Sequence, residues 1–354
     1  MTRVTLQTIA DRVGVSRMTV SNAFSRPDQL SDALRERILE TATALGYAGP
    51  DPAGRALARG TTGAVGVLLT ASLRHAFDDE VATGFLASMA TELGPTGLAI
   101  TLLSTNAVDE VIQARDVAMD GAVVYSCNPD NGAVDWLRRR GLPLAFADQE
   151  PVADVSCVNV DDRGGARAAA QHLVALGHRR VAVLSLAVDH RDEADGVEEV
   201  QCSAYVAGER QGGYLDVLEE AGVDCEVHLQ RRSDDEEATV LATRFLGRED
   251  RPTGVLCFSD VMAHGVVRAA ELLGLDVPGD VSVIGFDDSP LARRLRPQLT
   301  TVHQDVGEKG RLAAAALRDA MAHRGDGSEH VPTQVLLPTS LVVRDSTAVP
   351  PTAG

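Results

Sequence analysis

The sequence predicts two architectures in one chain. A small all-α helix-turn-helix headpiece is followed by a two-lobed α/β domain of two doubly wound parallel sheets. Three observations carry this. Residues 6–45 repeat apolar side chains at helical spacing between capping residues, and residues 47–63 are rich in Pro and Gly. From Ala64 onward, short and often β-branched apolar runs alternate with helical patterns that end in Gly. At 354 residues the chain is also too long for one small module.

In the first helix Leu6, Ile9, Ala10 and Val13 fall at i, i+3, i+4 and i+7, one apolar stripe that Gly14 ends. Ser16 is placed to cap a second helix, in which Val20, Ala23 and Phe24 share a face. Ser31 is placed to cap a third, with Leu34, Ile38, Ala42 and Leu45 inward and Gly46 just past its end. Strands are predicted over 65–69, 98–103, 121–125 and 142–146, then over 180–185, 254–258 and 281–286. Continuous apolar strands separated by helices imply parallel sheets covered on both faces. Two such series imply two lobes, with a ligand cleft between them at the carboxyl ends of the strands. Residues 346–354 read as a disordered tail.

The formal net charge is −18, yet residues 1–60 hold eight Arg against six acidic residues. The acidic surplus lies in the later part, so a DNA-binding region at the start stays compatible with the total. The five cysteines (Cys127, Cys157, Cys202, Cys225, Cys257) form no CxxC, which predicts reduced thiols with neither a disulfide framework nor a zinc site. The opening residues lack an apolar leader pattern, and no run approaches eighteen apolar residues. A cytoplasmic, nucleoid-associated location with no membrane contact is the expectation.

The segment VGVSRMTVSNAF (13–24) supplies a glycine corner and a helix whose outward face carries Met18, Ser21, Asn22 and Ser25, with Arg17 at its start. Arg can fork onto guanine, Asn can pair with adenine, and Met can touch a thymine methyl. The Ser16 and Ser21 hydroxyls can hold phosphates. On chemistry alone, a plain three-helix bundle with a solvated polar face fits as well.

The stretch from Val4 to Tyr47 resembles the headpiece of the lactose/galactose repressor (LacI/GalR) family from end to end: the VTLQTIA opening, the VGVS turn, TVS in the second helix and a third helix ending LGY. The resemblance continues through QHLVALGHRRVAVLS, SDVMAHGVVRAAELLGLDVPGDVSVIGFDD, LTTVHQD and LPTSLVVRDST. It implies a headpiece over 1–50, a hinge over 51–62 and a periplasmic-binding-protein-like effector and dimerisation domain over 63–345. Within that domain, 63–159 with 304–325 form one lobe, and 160–300 with 330–345 the other. It implies a repressor, not an enzyme, acting as a homodimer on pseudo-palindromic double-stranded operator DNA, with no cofactor.

By the resemblance Arg17, Met18 and Asn22 read bases, with Thr5, Ser16, Thr19 and Ser21 completing the contact set. Tyr47 either approaches the DNA backbone or plugs the core. In the hinge segment PAGRALARG, Leu57 is the minor-groove wedge and Arg55 lies near phosphate. Gly54 weakens this helix, which is therefore expected as coil without DNA and helix with it.

Seven positions match the family's effector-facing residues: Ser72, Phe77, Asp148, Arg210, Ser259, Asp287 and Gln304. Arg210 and Asp287 are expected at carboxyl strand ends facing one cleft. The implied effector is a small molecule, a sugar or sugar derivative being the family's commonest. Each residue also has a plainer role, since Asp at a strand end can cap the next helix and Phe77 can be core. The acidic stretch 187–207, with Asp189, His190, Asp192 and Glu193, is longer than the family's loop. Its spacing fits no defined ligand set, so no metal is expected there. A two-lobed solute-binding protein is disfavoured by the headpiece. A nucleotide-dependent enzyme is disfavoured because no GxGxxG or GxxxxGK[ST] follows a predicted strand.

Overall fold

Four helices occupy the first of two structural units, Met1–Gly63: α1 (Leu6–Val13), α2 (Arg17–Ser25), α3 (Asp32–Ala44) and α4 (Pro52–Arg59). In this computed structural model every residue is described except 1–3, 50, 70–72, 105–111, 127–131, 188–203, 327, 329 and 352–354. Thr5 and Thr8 form a reciprocal capping box at the start of α1, and Gly14 ends the helix at φ 79°, a conformation only glycine takes without strain. Ser16 accepts a hydrogen bond from Thr19 N and starts α2. Ser31 stands at the N-cap of α3, but its side chain makes no cap hydrogen bond. Ile9, Ala10, Val20, Ala23, Ile38 and Ala42 form the headpiece core. Tyr47 meets Phe24 edge-on at 5.8 Å, which identifies it as a core plug.

In the second unit, Ala64–Gly354, the chain opens with β1 (Ala64–Leu69), α5 (Leu73–Asp78), α6 (Glu80–Leu93) and β2 (Ala99–Ser104). There follow α7 (Gln113–Asp116), β3 (Gly121–Tyr125), α8 (Gly132–Arg139), β4 (Leu144–Ala147) and β5 (Ser156–Val160). The chain then crosses to a second lobe with α9 (Asp162–Leu176), β6 (Arg180–Leu186), α10 (Ala204–Glu220), β7 (Asp224–Gln230) and α11 (Asp235–Leu246). Next come β8 (Gly254–Cys257), α12 (Asp260–Leu272), β9 (Ser282–Asp287), α13 (Pro290–Arg294) and β10 (Thr300–His303). It crosses back for α14 (Val306–Asp326) and β11 (Gln334–Leu337), then crosses a third time into β12 (Ser340–Val342).

The sheet orders are β11-β5-β4-β3-β1-β2 and β12-β10-β9-β8-β6-β7. Among the described residues all pairings are parallel except the antiparallel pair β10–β12, and Val65 sits opposite both Ile100 and Gly121. The central strands β3, β4 and β8 are buried at every position, as strands covered on two faces must be.

Five strands absent from the sequence prediction have physical reasons for being missed. β5 (SCVNV) carries polar Ser156 and Asn159 in a buried strand. Asn159 is satisfied there by Gln149, whose amide N–H donates to its Oδ1 (3.1 Å) and whose carbonyl accepts from its Nδ2 (2.8 Å). β7 is a polar edge strand, whereas β10 is short and opens on two threonines. The segment 330–345 does not belong to one lobe: β11 pairs with β5 in the first, and β12 with β10 in the second. Pro338 and Thr339 separate the two, so a single run of residues feeds both sheets.

The predicted disordered tail is also corrected. Ser346 is fully buried, donating to Val283 O (2.6 Å) and accepting from Thr300 N (2.8 Å). Ala348 N donates to Ser282 Oγ (3.0 Å), and His178 Nε2 lies 3.0 Å from the Ala348 carbonyl. Bonds between side chain and backbone of this kind are invisible in a Ser/Thr/Ala/Pro composition. Residues 352–354 lie outside the described residues. No helix among the described residues is long and apolar enough to cross a membrane.

Candidate functional site

The residues expected to read bases begin at the start of α2. Arg17 and Met18 are the first two helical residues and both are exposed, Met18 by 69%. A large apolar side chain held in solvent at a helix start has no packing role. Ser16 and Thr19 hydroxyls are 2.8 Å apart and already engaged in the cap, so their first duty is to build the N-terminus of α2. Thr5 has the same structural duty at α1. Ser21 is half-buried, and so is Asn22, whose Nδ2 donates to Gln29 Oε1 at 3.0 Å. Reading a base with Asn22 therefore requires exchanging that bond. Arg37 donates to the Val13 carbonyl (3.1 Å) and Arg35 to the Ala23 carbonyl (3.5 Å), so α3 clamps the last turns of both helices of the corner.

The hinge segment is helical over Pro52–Arg59, closed by Gly60 N donating to Ala56 O (2.8 Å). Proline fits the first helical position because it lacks only an N–H left unsatisfied there, and three alanines offset the cost of Gly54. Leu57 is 87% exposed on this helix, and Arg55 lies two residues before it.

In the second unit, Arg210 comes from the interior of α10 and not from a strand end, as the sequence implied. From the helix it reaches over to the strand ends. Its Nε donates to Asp162 Oδ1 (2.7 Å), and its Nη1 to the Phe258 carbonyl (2.7 Å) and to Asp287 Oδ1 (3.2 Å). The guanidinium lies 3.6 Å from the Phe286 ring centroid and 4.6 Å from that of Phe258, stacking that suits a flat cation.

Gln304, in the second crossing between the lobes, donates from Nε2 to Asp287 Oδ1 (2.6 Å) and accepts at Oε1 from Lys309 Nζ (2.9 Å). Lys309, from the first turn of α14, also donates to Asp148 Oδ2 (2.6 Å) at the end of β4. One chain of polar contacts thus runs Asp162–Arg210–Asp287–Gln304–Lys309–Asp148, from one lobe to the other. A second bridge joins the lobes where Glu80, opening α6, accepts from Leu291 N (3.2 Å) and pairs with Arg294 (2.5 Å) on α13.

Five of the six members are buried, Lys309 to 1% exposure, and Asp287 is half-buried with its side chain 9% exposed. Burial pushes the Asp162 and Asp287 carboxyls up, and the Arg210 guanidinium pulls both back. Asp260, fully buried behind Asp287, is pushed up to about 8 by burial and by that neighbouring charge. The backbone is strained at the same place. Among the described residues, the four non-glycine residues with positive φ are Ser126 (53°), Asp148 (55°), Asp287 (111°) and Asp288 (51°). All lie at the carboxyl ends of β3, β4 and β9, and strain of this kind concentrates at ligand sites.

Of the sequence-predicted effector residues, the structure thus brings Asp148, Arg210, Asp287 and Gln304 together. Ser259 follows Phe258, but its hydroxyl caps α12 through Met262 N (3.2 Å) and lies 2.7 Å from Ser233 Oγ. Phe77 is 61% exposed on α5, so it is not core. Ser72 and the acidic residues 189–193 lie outside the described residues. Trp136 packs in the first lobe with Arg139 over its ring at 5.3 Å.

Asp162 and Lys309 were missed. Asp162 carries no sequence signal that separates it from a helix-start aspartate. Lys309 does: it is the only lysine in the chain, against 32 arginines.

The family model for bacterial regulatory proteins of the lacI family matches residues 5–49, and that for a periplasmic binding protein-like domain matches residues 170–347. The chain is 37% identical over 350 residues to the HTH-type transcriptional regulator IpsA of Corynebacterium glutamicum, covering 95% of each. Its structure resembles a complex of the transcriptional regulator CelR with cellobiose, at 26% identity and TM-score 0.69 over 97% of this chain and all of that one. It shares the fold of the Lac repressor dimer bound to operator, at 23% identity and TM-score 0.75 over 98% and 99% of the two chains. With its corner helix, its two-lobed domain and relatives matched along nearly their whole length, the chain belongs to the LacI family of DNA-binding transcriptional regulators, which are not enzymes.

Proposed function

We propose that this regulator is a cytoplasmic repressor that binds a pseudo-palindromic operator as a homodimer and responds to a neutral sugar or polyol held between its lobes. Arg17 and Met18 read bases from the exposed start of α2, and Asn22 joins them once it leaves Gln29. Leu57 from each subunit enters the minor groove, and Arg55 meets phosphate beside it.

The observation that carries the effector reading is the interlobe chain Asp162–Arg210–Asp287–Gln304–Lys309–Asp148. Its carboxylates and amide accept and donate in the pattern that hydroxyl groups match, and the flanking Phe258 and Phe286 rings supply an apolar wall. Asp148, Asp162 and Asp287 outnumber the cations Arg210 and Lys309, which favours a neutral ligand over a phosphate or carboxylate. The likeness to CelR, solved with cellobiose, supports the same ligand class. A hydroxyl that takes over one bond of the chain changes how the lobes are tied, and so gives the effector different affinities for two arrangements.

The test is a thermal-shift screen of sugars and polyols on the full chain, followed by operator binding with each hit. A hit that raises the melting temperature and changes operator affinity supports the proposal. A screen in which only anionic ligands do both contradicts the ligand class, and release from DNA without any effector contradicts the switch.

A further inference from the structure

Asp319, His323 and His330 lie together at the far end of α14, away from the cleft residues. One ring nitrogen of each histidine and a carboxylate oxygen all fall within 4.8 Å of one another. Asp319 and His323 share a helix face at i, i+4, and the segment leading to β11 brings His330 back against them.

His330 Nδ1 stands 3.3 Å from Asp319 Oδ2, and His323 Nδ1 stands 3.6 Å from Asp319 Oδ1. A tetrahedral zinc site with bonds of about 2.05 Å has ligand–ligand edges of about 3.3 Å. The separation between His330 and Asp319 is therefore already near coordination geometry.

The hydrogen bonding points the same way. His330 Nδ1 is buried, and despite the nearby carboxylate it has no hydrogen-bond partner among the described residues. Its Nε2 lies 3.3 Å from Ser156 Oγ, which itself accepts from Thr333 N (3.0 Å). With Nε2–H donated to that hydroxyl, Nδ1 presents a lone pair towards Asp319, an arrangement that a cation between them stabilises. His323 Nδ1 lies 2.8 Å from the Asp319 carbonyl, the kind of bond that orients a histidine and turns its other nitrogen towards a metal. A cation here also sits at the carboxyl end of a 21-residue helix, where the backbone dipole favours it.

We propose that Asp319, His323 and His330 form a divalent transition-metal site of the zinc type, with water as the fourth ligand. The ion pins the end of α14 to the segment entering β11, within the first lobe. The sequence did not suggest it, because the ligands are spaced D-x3-H-x6-H across a helix end and a loop.

The test uses the full chain stripped of metal and titrated with Zn2+ against a competing chelator, with Co2+ as a spectroscopic probe. The expected result is one Zn2+ per chain, an intense visible Co2+ band of tetrahedral type, and a melting temperature raised by Zn2+. His330→Gln and Asp319→Asn should each weaken binding by at least about tenfold. His190→Gln, in the acidic stretch, should leave binding unchanged. Retention of the Co2+ band in Asp319→Asn/His323→Gln/His330→Gln would overturn the assignment. So would a wild-type chain that shows neither band nor thermal shift, which would mark the cluster as a histidine–carboxylate contact only.

Discussion

The headpiece and the cleft handle polar groups in opposite ways. In the headpiece the proposed reading residues stand in solvent: Arg17 and Met18 are exposed, and Leu57 projects from its own helix. In the cleft the polar residues are buried and partner one another across the lobes. A surface that reads DNA is finished by its ligand, so its residues can be changed at little cost to the fold. A closed polar chain holds its own lobes, so a change there costs stability, and a ligand acts by exchange. In low dielectric a half-satisfied chain is worse than none.

The largest effect is expected at Arg210. Arg210→Ala leaves Asp162 and Asp287 buried without their cation and should cost about 3–5 kcal/mol in chemical denaturation. A loss below 1 kcal/mol, near the median surface ion pair, would mean the cleft is wetter than its burial implies.

Lys309→Met keeps most of the volume but takes the cation away from Asp148, and should cost about 3 kcal/mol while abolishing the effector response. Arg17→Ala sharpens the contrast from the other side. Stability should move by less than about 0.5 kcal/mol, while discrimination at one operator base falls by about 1–3 kcal/mol in a binding-site selection. An unchanged base preference would remove Arg17 from the readout.

The smallest effect concerns pH. Asp260 holds its proton in the folded state, so its contribution to stability is full below the ordinary carboxylate pKa and fades as pH rises towards about 8. Asp260→Asn should flatten the pH dependence of the denaturation midpoint between about pH 5 and pH 8. An unaltered slope there would place the titrating group elsewhere.

The same contrast explains what the sequence disclosed. The corner of the headpiece was legible, because Gly14 and Ser16 act locally and their partners lie within four positions; the cap bond expected of Ser31 is not made, and the capping role of Thr5 went unread. The buried central strands were legible from their apolar runs. β5 was not, because Asn159 is satisfied by Gln149, ten residues away, and that pairing leaves no local pattern. In the cleft, Asp287 and Gln304 could be placed, but the partner that ties them to the first lobe could not. Gln304 to Lys309 is a local step, whereas Lys309 to Asp148 spans 161 positions. What the sequence did hold was the oddity of a single lysine among arginines. A compact ammonium fits between one carboxylate and one amide where a guanidinium fork does not.

The central claim is that the interlobe chain couples the cleft to the operator. Its most direct test is operator affinity, measured by fluorescence anisotropy with and without a sugar or polyol found by the screen, for the wild type and for Lys309→Met. The wild type should shift by at least about fivefold, and the variant should bind operator as the ligand-free wild type does, with no shift on adding ligand. A variant that still shifts as the wild type does would contradict the claim.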